Sequence, residues 1–181
     1  MRVIAGELGG RRLESPPGTS TRPTTDRVRE AVFNALGSLA LVEGAVVVDL
    51  FAGSGAMGLE ALSRGAASCT FVERDRAAVR AITANIESLG VADRARVIVG
   101  DASAATTDRA DLVIADPPYD FGDWERLIGA VGAPFLVLES GAPVGRLLGA
   151  GALEAAGWEV TRERRYGRTW VTFLERTGEV A

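Results

Sequence analysis

From about residue 45 onward, the chain alternates short runs of β-branched apolar residues with stretches in which apolar residues recur at helical spacing. Such alternation is typical of a doubly wound α/β domain with a mainly parallel sheet. The pattern predicts seven strands, at residues 45–51, 68–73, 95–100, 111–115, 134–139, 159–165 and 169–175. It predicts helices at residues 56–64, 76–89 and 124–131, and a weaker one at residues 144–156, where three glycines interrupt the pattern.

The last two predicted strands form a hairpin. Only Tyr166, Gly167 and Arg168 separate them, and so short a connection joins antiparallel strands only. We therefore expect an α/β fold with a seven-stranded, mostly parallel sheet, helices on both faces and one antiparallel strand at the edge.

The first 44 residues do not follow the alternating pattern. A Gly9-Gly10 pair between two short apolar runs predicts a small β-hairpin, and an irregular segment containing several prolines follows it. A helix is then predicted at residues 25–39, with Thr24 or Thr25 as its N-cap. We expect an N-terminal extension at residues 1–44, packed on a domain at residues 45–181.

The length of 181 residues fits a single catalytic domain. No apolar stretch is long enough for a signal peptide or a membrane span, and the single cysteine, Cys69, fits a reducing compartment. We expect a cytoplasmic monomer that does not contact a membrane.

Histidine and lysine are both absent, and all 20 basic residues are arginine. These absences exclude a Ser-His-Asp triad, a histidine-ligated metal and a lysine Schiff base, and one cysteine cannot form a thiolate-rich zinc site. We therefore expect chemistry without a metal. The lack of lysine is also what a biased genomic base composition would produce.

The net charge of −4 is unevenly distributed along the chain. Residues 1–36 carry +2, residues 37–159 carry −8 and residues 160–181 carry +2. If the two ends fold beside the same face, they would form a local basic rim that can contact phosphates on an otherwise acidic protein. The alternative is that scattered arginines only keep the surface soluble.

The tetrapeptide Asp116-Pro117-Pro118-Tyr119 directly follows the apolar strand predicted at residues 111–115. Proline lacks a backbone donor, so the Asp116 carboxylate and the neighbouring carbonyls can only accept hydrogen bonds. Acceptors beside an aromatic ring suit a flat base that carries an exocyclic amine, with Tyr119 stacking on the base. Without such a ligand, the tetrapeptide would be no more than a rigid turn.

A glycine-rich loop, Gly53-Ser54-Gly55-Ala56-Met57-Gly58, joins the first predicted strand to a helix. Its glycines let the backbone pass close to a ligand, although a tight strand-to-helix turn needs glycine too. Glu73 ends the second strand 20 residues after Gly53, where a carboxylate accepts hydrogen bonds from ribose hydroxyls. Asp101 follows the third strand, where it can accept from an adenine amine. Both carboxylates are also suited to capping the helices that follow.

With these motifs the chain resembles class I methyltransferases, which use S-adenosylmethionine and share a seven-stranded sheet. The resemblance implies a cofactor site with Asp49, Gly53 and Gly55 on the methionine side, Glu73 at the ribose and Asp101 at the adenine. Phe51 and Ala102 lie beside them in the sequence and are expected in the same site.

Within that fold the tetrapeptide marks enzymes that methylate exocyclic amines. The resemblance makes Asp116, Pro117 and Tyr119 the catalytic residues, the first two as acceptors for the N–H bonds of the amine. Pyrimidine C5 methylation needs a cysteine nucleophile. It is disfavoured because Cys69 begins the second predicted strand, far from the tetrapeptide.

The two ends of the chain carry a narrower resemblance. The segment from Arg22-Pro23-Thr24-Thr25-Asp26-Arg27 to Leu36, the opening Val3-Ile4-Ala5-Gly6 with Gly10-Arg11-Arg12-Leu13, and the closing Arg165-Tyr166-Gly167-Arg168-Thr169 are similar to the bacterial ribosomal RNA small subunit methyltransferase D family. This implies methylation of the N2 of one guanine in 16S rRNA within the assembling small subunit. It also implies RNA contacts by five arginines: Arg22, Arg27, Arg29, Arg165 and Arg168.

Alternatives stay open at this point. The arginines of the helix at residues 25–39 can instead pair with Asp26 and Glu30 on the surface. An adenine-N6 DNA methyltransferase uses the same tetrapeptide but usually needs a further target-recognition region. A small nicotinamide-dependent oxidoreductase and a non-catalytic RNA-binding assembly factor are further alternatives.

Overall fold

A computed structural model describes residues 1–16 and 25–178. The strands are β1 (Val46–Leu50), β2 (Ser68–Glu73), β3 (Ala95–Val99), β4 (Leu112–Ala115), β5 (Phe135–Ser140), β6 (Trp158–Tyr166) and β7 (Thr169–Arg176). The helices are α1 (Asp26–Ser38), α2 (Ala56–Ser63), α3 (Arg76–Leu89), α4 (Trp124–Ala130), α5 (Val144–Leu148) and α6 (Ala152–Ala155). All seven predicted strands are present, each within a residue of its predicted ends.

The strands form one sheet in the order β3-β2-β1-β4-β5-β7-β6. Neighbouring strands run parallel from β3 to β5, whereas β7 is antiparallel to both β5 and β6. The predicted fold class, with one antiparallel strand, is confirmed. The predicted hairpin forms one edge of the sheet, where β7 lies between β5 and β6 and β6 is the outermost strand. A hairpin fixes only the relative direction of its strands and does not decide which of them is outermost.

Two apolar clusters cover the two faces of the sheet. One contains the apolar faces of α1, α2 and α3, including the fully buried Phe33 and Leu62. The other contains α4, α5 and α6 and the fully buried Trp158. The clusters explain the continuous apolar runs of the central strands, since a strand covered on both faces has no solvated side. Among the described residues, no helix is long and apolar enough to span a membrane.

The helix predicted at residues 144–156 is wrong as a single element. It is divided into α5 and α6, because Gly149 and Gly151 adopt φ angles of 80° and 78°, which are incompatible with a continuous right-handed helix. A single 3-10 turn at Ala102–Ala104, not predicted from the sequence, follows β3.

The predicted N-terminal hairpin is confirmed as a short antiparallel pairing of Arg2 with Arg12. Side chains of α2 and α3 hold it against the domain. The buried Glu60 carboxylate accepts from the backbone N–H groups of Ile4 and Ala5, and the Asn85 amide exchanges hydrogen bonds with the backbone of Glu14. Buried polar groups with such partners stabilise the contact, because each would be costly to bury alone.

Helix α1 begins where the sequence predicts, and the Thr25 hydroxyl accepts from the Val28 N–H as its N-cap. The prediction for Arg29, however, was wrong. This side chain is fully buried, donates to the Arg2 carbonyl and to Asp26, and lies 3.6 Å from the Glu60 carboxylate. Arg29 therefore joins the N-terminal hairpin to α2 and is not exposed to RNA phosphates.

Candidate active site

The candidate site lies at the carboxyl ends of the parallel strands. Leu50 of β1, Ala115 of β4 and Leu138 of β5 are aligned in register across the sheet. The next residues along β4 and β5 are Asp116 and Glu139, so their side chains emerge from neighbouring strands at the same level. Ligands of open α/β sheets bind at this edge.

The glycine-rich loop leaves β1 through three residues with positive φ. These are Phe51 at 59°, Gly53 at 57° and Gly55 at 79°, directly before α2 begins. A non-glycine residue in this conformation is strained, and such strain is concentrated at functional sites. Gly58 serves packing instead: a β-carbon there would lie 2.4 Å from the Phe71 ring and 2.5 Å from the Cys69 sulfur. Glycine at position 58 therefore lets α2 approach β2 closely.

Asp49 is a buried carboxylate beneath this loop, 2% exposed, and it accepts a hydrogen bond of 2.9 Å from the Gly58 N–H in α2. Burial raises the pKa of Asp49 from 3.8 to about 7; the Gly58 hydrogen bond opposes the rise, and the nearby charges of Asp116 and Glu73 add to it. Asp49, Asp116 and Glu73 therefore lie close enough to influence one another electrostatically.

Glu73 binds the glycine loop directly. One carboxylate oxygen accepts from the Gly53 N–H at 2.8 Å, and the other accepts from the N–H groups of Arg74 and Asp75. The capping alternative for Glu73 was wrong, because the N-cap of α3 is Asp75, which accepts from Ala78. The half-buried Glu73 instead fixes the end of β2 against the loop.

Asp101 does act as a cap. It accepts from the Ser103 N–H at 3.0 Å and begins the 3-10 turn that contains the buried Ala102. A carboxylate has two oxygens and about four acceptor sites, so this bond leaves acceptor capacity on an exposed side chain. Asp101 follows β3, which neighbours β2, so it lies on the same sheet edge as Glu73.

The tetrapeptide turns the chain sharply after β4. Asp116 is half-buried and Pro117 is buried, whereas Pro118 and Tyr119 are exposed, the latter at 65%. The Phe121 N–H donates to the Pro118 carbonyl and closes the turn. The Tyr119 ring lies against Gly141, where an added β-carbon would be 3.4 Å from it. The turn therefore presents an aromatic ring to solvent beside a sheltered carboxylate.

Three aromatic rings connect the tetrapeptide to the glycine loop. Phe121 packs edge-on against Phe51, with ring centroids 5.4 Å apart, and against Trp124, at 5.0 Å. Edge-to-face packing is a favoured arrangement of aromatic rings. Through Phe51, the glycine loop therefore contacts Phe121, which lies two residues after the tetrapeptide.

A cavity of about 400 Å³ opens beside the tetrapeptide, and both ends of the chain contribute to it. Arg27 comes from α1, and Arg165 and Arg168 come from the β6–β7 hairpin; Asp116, Tyr119 and Glu139 line the same cavity. We call this space the arginine pocket. Its three arginines are exposed, as a basic rim requires. Arg22, also predicted to bind RNA, lies outside the described residues.

Sequence reasoning did not identify Glu139. This carboxylate is 3% exposed and is the penultimate residue of β5, before Ser140. A charge at the end of an apolar run is the same signal that drew attention to Asp116. What the sequence could not show is that β5 lies beside β4, since strand order is a property of the whole sheet.

Comparisons with known proteins agree with this geometry. Residues 1–175 match the family model described as Conserved hypothetical protein 95. Ribosomal RNA small subunit methyltransferase D of Escherichia coli (strain K12) is 42% identical over 71% of this chain and 65% of its own length. The Bacillus subtilis protein YlbH is 38% identical over 98% of this chain and all of its own. The chain belongs to the ribosomal RNA small subunit methyltransferase D family.

The solved structure of Escherichia coli yhhF shares the fold of this chain, with a TM-score of 0.82 and 34% identity over 99% of both chains. Membership of the family implies an S-adenosylmethionine-dependent methyltransferase. In the part of the chain that the structure describes, no three acidic or cysteine side chains are grouped so as to hold a metal ion.

Proposed function

We propose that this protein transfers a methyl group from S-adenosylmethionine to the exocyclic N2 of one guanine in 16S rRNA. The observation that carries the proposal is the position of Asp116 and Pro117. Asp116 lines the arginine pocket, its N–H lies 3.4 Å from the Leu50 carbonyl at the end of β1, and its charge acts on the buried Asp49 beneath the glycine loop; Pro117 follows it directly. An amine held there would face the methyl donor, and the nucleotide to which the amine belongs would lie in the pocket.

The residues of the glycine-loop side fit the donor. S-adenosylmethionine supplies a methyl group on a positively charged sulfur and so needs no metal to activate it. We assign its methionine part to the buried Asp49 with Phe51, Gly53 and Gly55, because a cationic partner stabilises the ionised form of a carboxylate that burial otherwise penalises. The ribose is assigned to Glu73, and the adenine to two residues after β3, Asp101 and Ala102.

The exocyclic amine of guanine is a weak nucleophile because its lone pair is delocalised into the ring. The Asp116 carboxylate and the Pro117 carbonyl would accept its two N–H bonds, turn the lone pair out of the ring plane and aim it at the methyl carbon. One nitrogen–carbon bond forms as the sulfur–carbon bond breaks, and S-adenosylhomocysteine leaves. The surplus proton on nitrogen passes to Asp116 or to water. Tyr119, which is exposed, would stack on the base.

The basic rim supports an RNA substrate. Arginine binds phosphate in a bidentate way, and Arg27, Arg165 and Arg168 line the pocket from the two ends of the chain. We assign RNA docking to the N-terminal extension at residues 1–44, including Arg22, and to the β6–β7 hairpin. The acidic middle of the chain predicts weak binding to naked RNA, so we propose that a monomer acts on the assembling small subunit.

The test is a methylation assay with labelled S-adenosylmethionine and small subunits from a strain that lacks this modification. We expect label in 16S rRNA and N2-methylguanosine as the only labelled nucleoside after digestion. N6-methyladenosine as the product would instead support the adenine alternative, and an absence of label would remove the enzymatic assignment. Mapping the labelled nucleotide then identifies the target position.

A further inference from the structure

Asn85 of α3 has a fully buried side-chain amide that contacts both the N-terminal extension and the glycine loop. Its oxygen accepts from the Glu14 N–H at 2.7 Å, and its nitrogen donates to the Glu14 carbonyl at 3.0 Å. The same nitrogen also donates to the Ser54 carbonyl in the glycine loop, at 3.0 Å. One amide therefore joins the extension to the loop that is assigned to the cofactor.

The Asn85 amide can make these bonds in one orientation only. Its nitrogen faces two carbonyls and its oxygen faces an N–H group, so a reversed amide would place its oxygen against both carbonyls. Moving either the loop or the extension away would leave a buried polar group without its partner, at a cost in free energy. The positions of the two segments are therefore linked.

On the loop side, Ser54 lies between the two glycines assigned to the methionine part of the cofactor. The Gly53 N–H is bound by Glu73, and Gly55 has a φ of 79°. The Asn85 bond therefore fixes the carbonyl between these two points. The Ser54 hydroxyl also lies 3.8 Å from the Met1 sulfur in the extension. A ligand held by this loop would favour one position of Ser54 and hence of the extension.

On the other side, a chain of contacts leads from the extension to the arginine pocket. Glu14 follows the hairpin in which Arg2 pairs with Arg12. The Arg2 carbonyl accepts from Arg29 of α1, which fixes this helix against the hairpin. Arg27, two residues before Arg29, lines the arginine pocket. RNA held by Arg27 would therefore favour the same position of the extension as a filled glycine loop.

We propose that Asn85 is a positioning residue that couples the glycine loop to the N-terminal extension, so that S-adenosylmethionine and the substrate RNA strengthen each other's binding. The inference rests on the proposed function, which assigns RNA docking to the extension. The coupling is reciprocal, because each ligand favours the arrangement in which the amide keeps all its partners.

Amide hydrogen exchange tests the coupling without RNA. S-adenosylhomocysteine, which cannot donate a methyl group, should slow exchange of the Glu14 N–H by about fivefold or more. The Leu8 N–H is the internal reference, because it donates to Ser63 at the far end of α2 from the glycine loop. It should slow less than Glu14. Equal slowing of the two amides, or no slowing at Glu14, would overturn the coupling even if every variant of Asn85 folds poorly.

Asn85→Leu keeps a side chain of similar size and removes the amide. It should abolish the difference between Glu14 and Leu8 in their response to S-adenosylhomocysteine. In sedimentation assays with small subunits that lack the modification, S-adenosylhomocysteine should raise the affinity of the wild type about fivefold or more. The rise should fall below about twofold in Asn85→Leu.

Ser63→Ala is the matched control. The Ser63 hydroxyl accepts from the Leu8 N–H and donates to the Ala5 carbonyl, so this variant also removes two hydrogen bonds between the extension and the domain. It should keep the effect of S-adenosylhomocysteine on small-subunit affinity. A loss of that effect as complete as in Asn85→Leu would overturn the specific role of Asn85.

A failure of RNA docking gives a different result. If Glu14 responds to the cofactor through Asn85 but small-subunit affinity does not, the link to RNA is overturned, and with it the assignment of RNA docking to the extension. Neither measurement requires methyl transfer, so a failure of the guanine assignment is detected separately, by the product of the methylation assay.

Discussion

The glycine-loop side of the site and the arginine pocket differ in how the chain builds them. The first is made by consecutive strand ends within residues 49–102, tied together by backbone hydrogen bonds such as that from Gly53 to Glu73. The second brings together side chains from α1, β4, β5 and the β6–β7 hairpin, more than 130 residues apart in sequence. A local motif is sufficient for a cofactor that many enzymes share, whereas a specific substrate is recognised by a surface that only the completed sheet assembles.

Asp116 lies at the junction of the two regions, and its replacement should produce the largest effect. Asp116→Ala should lower kcat by roughly a hundredfold or more, because it removes an acceptor that acts on the amine as charge develops. Binding of S-adenosylmethionine, measured by calorimetry, should stay within a few-fold of wild type. Lost cofactor binding would place Asp116 on the glycine-loop side instead.

Arg29 and Arg27 lie two residues apart in α1 but should behave in opposite ways. Arg29→Met should lower the free energy of unfolding by about 3 kcal/mol, measured in urea, because the buried Glu60 loses a cationic neighbour. Arg27→Gln removes an exposed charge and should change stability by less than about 0.5 kcal/mol.

Because Arg27→Gln should leave stability nearly unchanged, this variant also tests RNA binding separately from folding. Arg27→Gln should weaken RNA binding and reduce the slope of log affinity against log salt by about one. An unchanged slope would remove Arg27 from the RNA surface.

Glu73 tests the glycine-loop side alone. Glu73→Gln should raise the dissociation constant for S-adenosylmethionine by about tenfold, since a charged hydrogen bond contributes about 1.5–3 kcal/mol and the amide keeps part of it. The KM for small subunits should not change. If the KM for small subunits changes and the dissociation constant for S-adenosylmethionine does not, the assignment of Glu73 to the ribose is wrong.

Replacing Asp49 should give an effect that depends on pH. Its native pKa is about 7, against 3.8 in the unfolded chain, so the folded protein holds an extra proton between these values. Stability that is present below about pH 4 is therefore lost as the pH rises toward 7, with no further change above. The affinity for S-adenosylmethionine should rise as the pH increases through about 7, because the ionised Asp49 carboxylate attracts a cation.

Asp49→Asn is the control, because the amide oxygen can still accept from Gly58 and does not titrate. Between about pH 5 and pH 8, the free energy of unfolding measured in urea and the cofactor affinity measured by calorimetry should both depend less on pH in the variant than in the wild type. A wild type with the same pH profile as Asp49→Asn would mean that this carboxylate is ionised throughout.

Much of the fold could be predicted from the chain alone. Strands β2 and β7 and helices α2 and α3 begin at their predicted residues, because buried strands and amphipathic helices carry unmistakable spacing. The divided helix at residues 144–156 and the buried Arg29 could not be predicted. In the first case two glycines outweighed the apolar spacing, and in the second a tertiary partner, Glu60, was 31 residues away.

The sequence by itself determined the local chemistry: a glycine loop, carboxylates after strands, and a proline-locked acceptor turn, since each depends on residues next to one another in the chain. Only the tertiary structure decided which of these groups share a pocket. Strand order places β5 beside β4, so Glu139 and Asp116 leave neighbouring strands, and the hairpin and α1 bring arginines from both ends of the chain to the same pocket. The physical reason is that packing joins residues by shape and burial, and neither depends on distance along the chain.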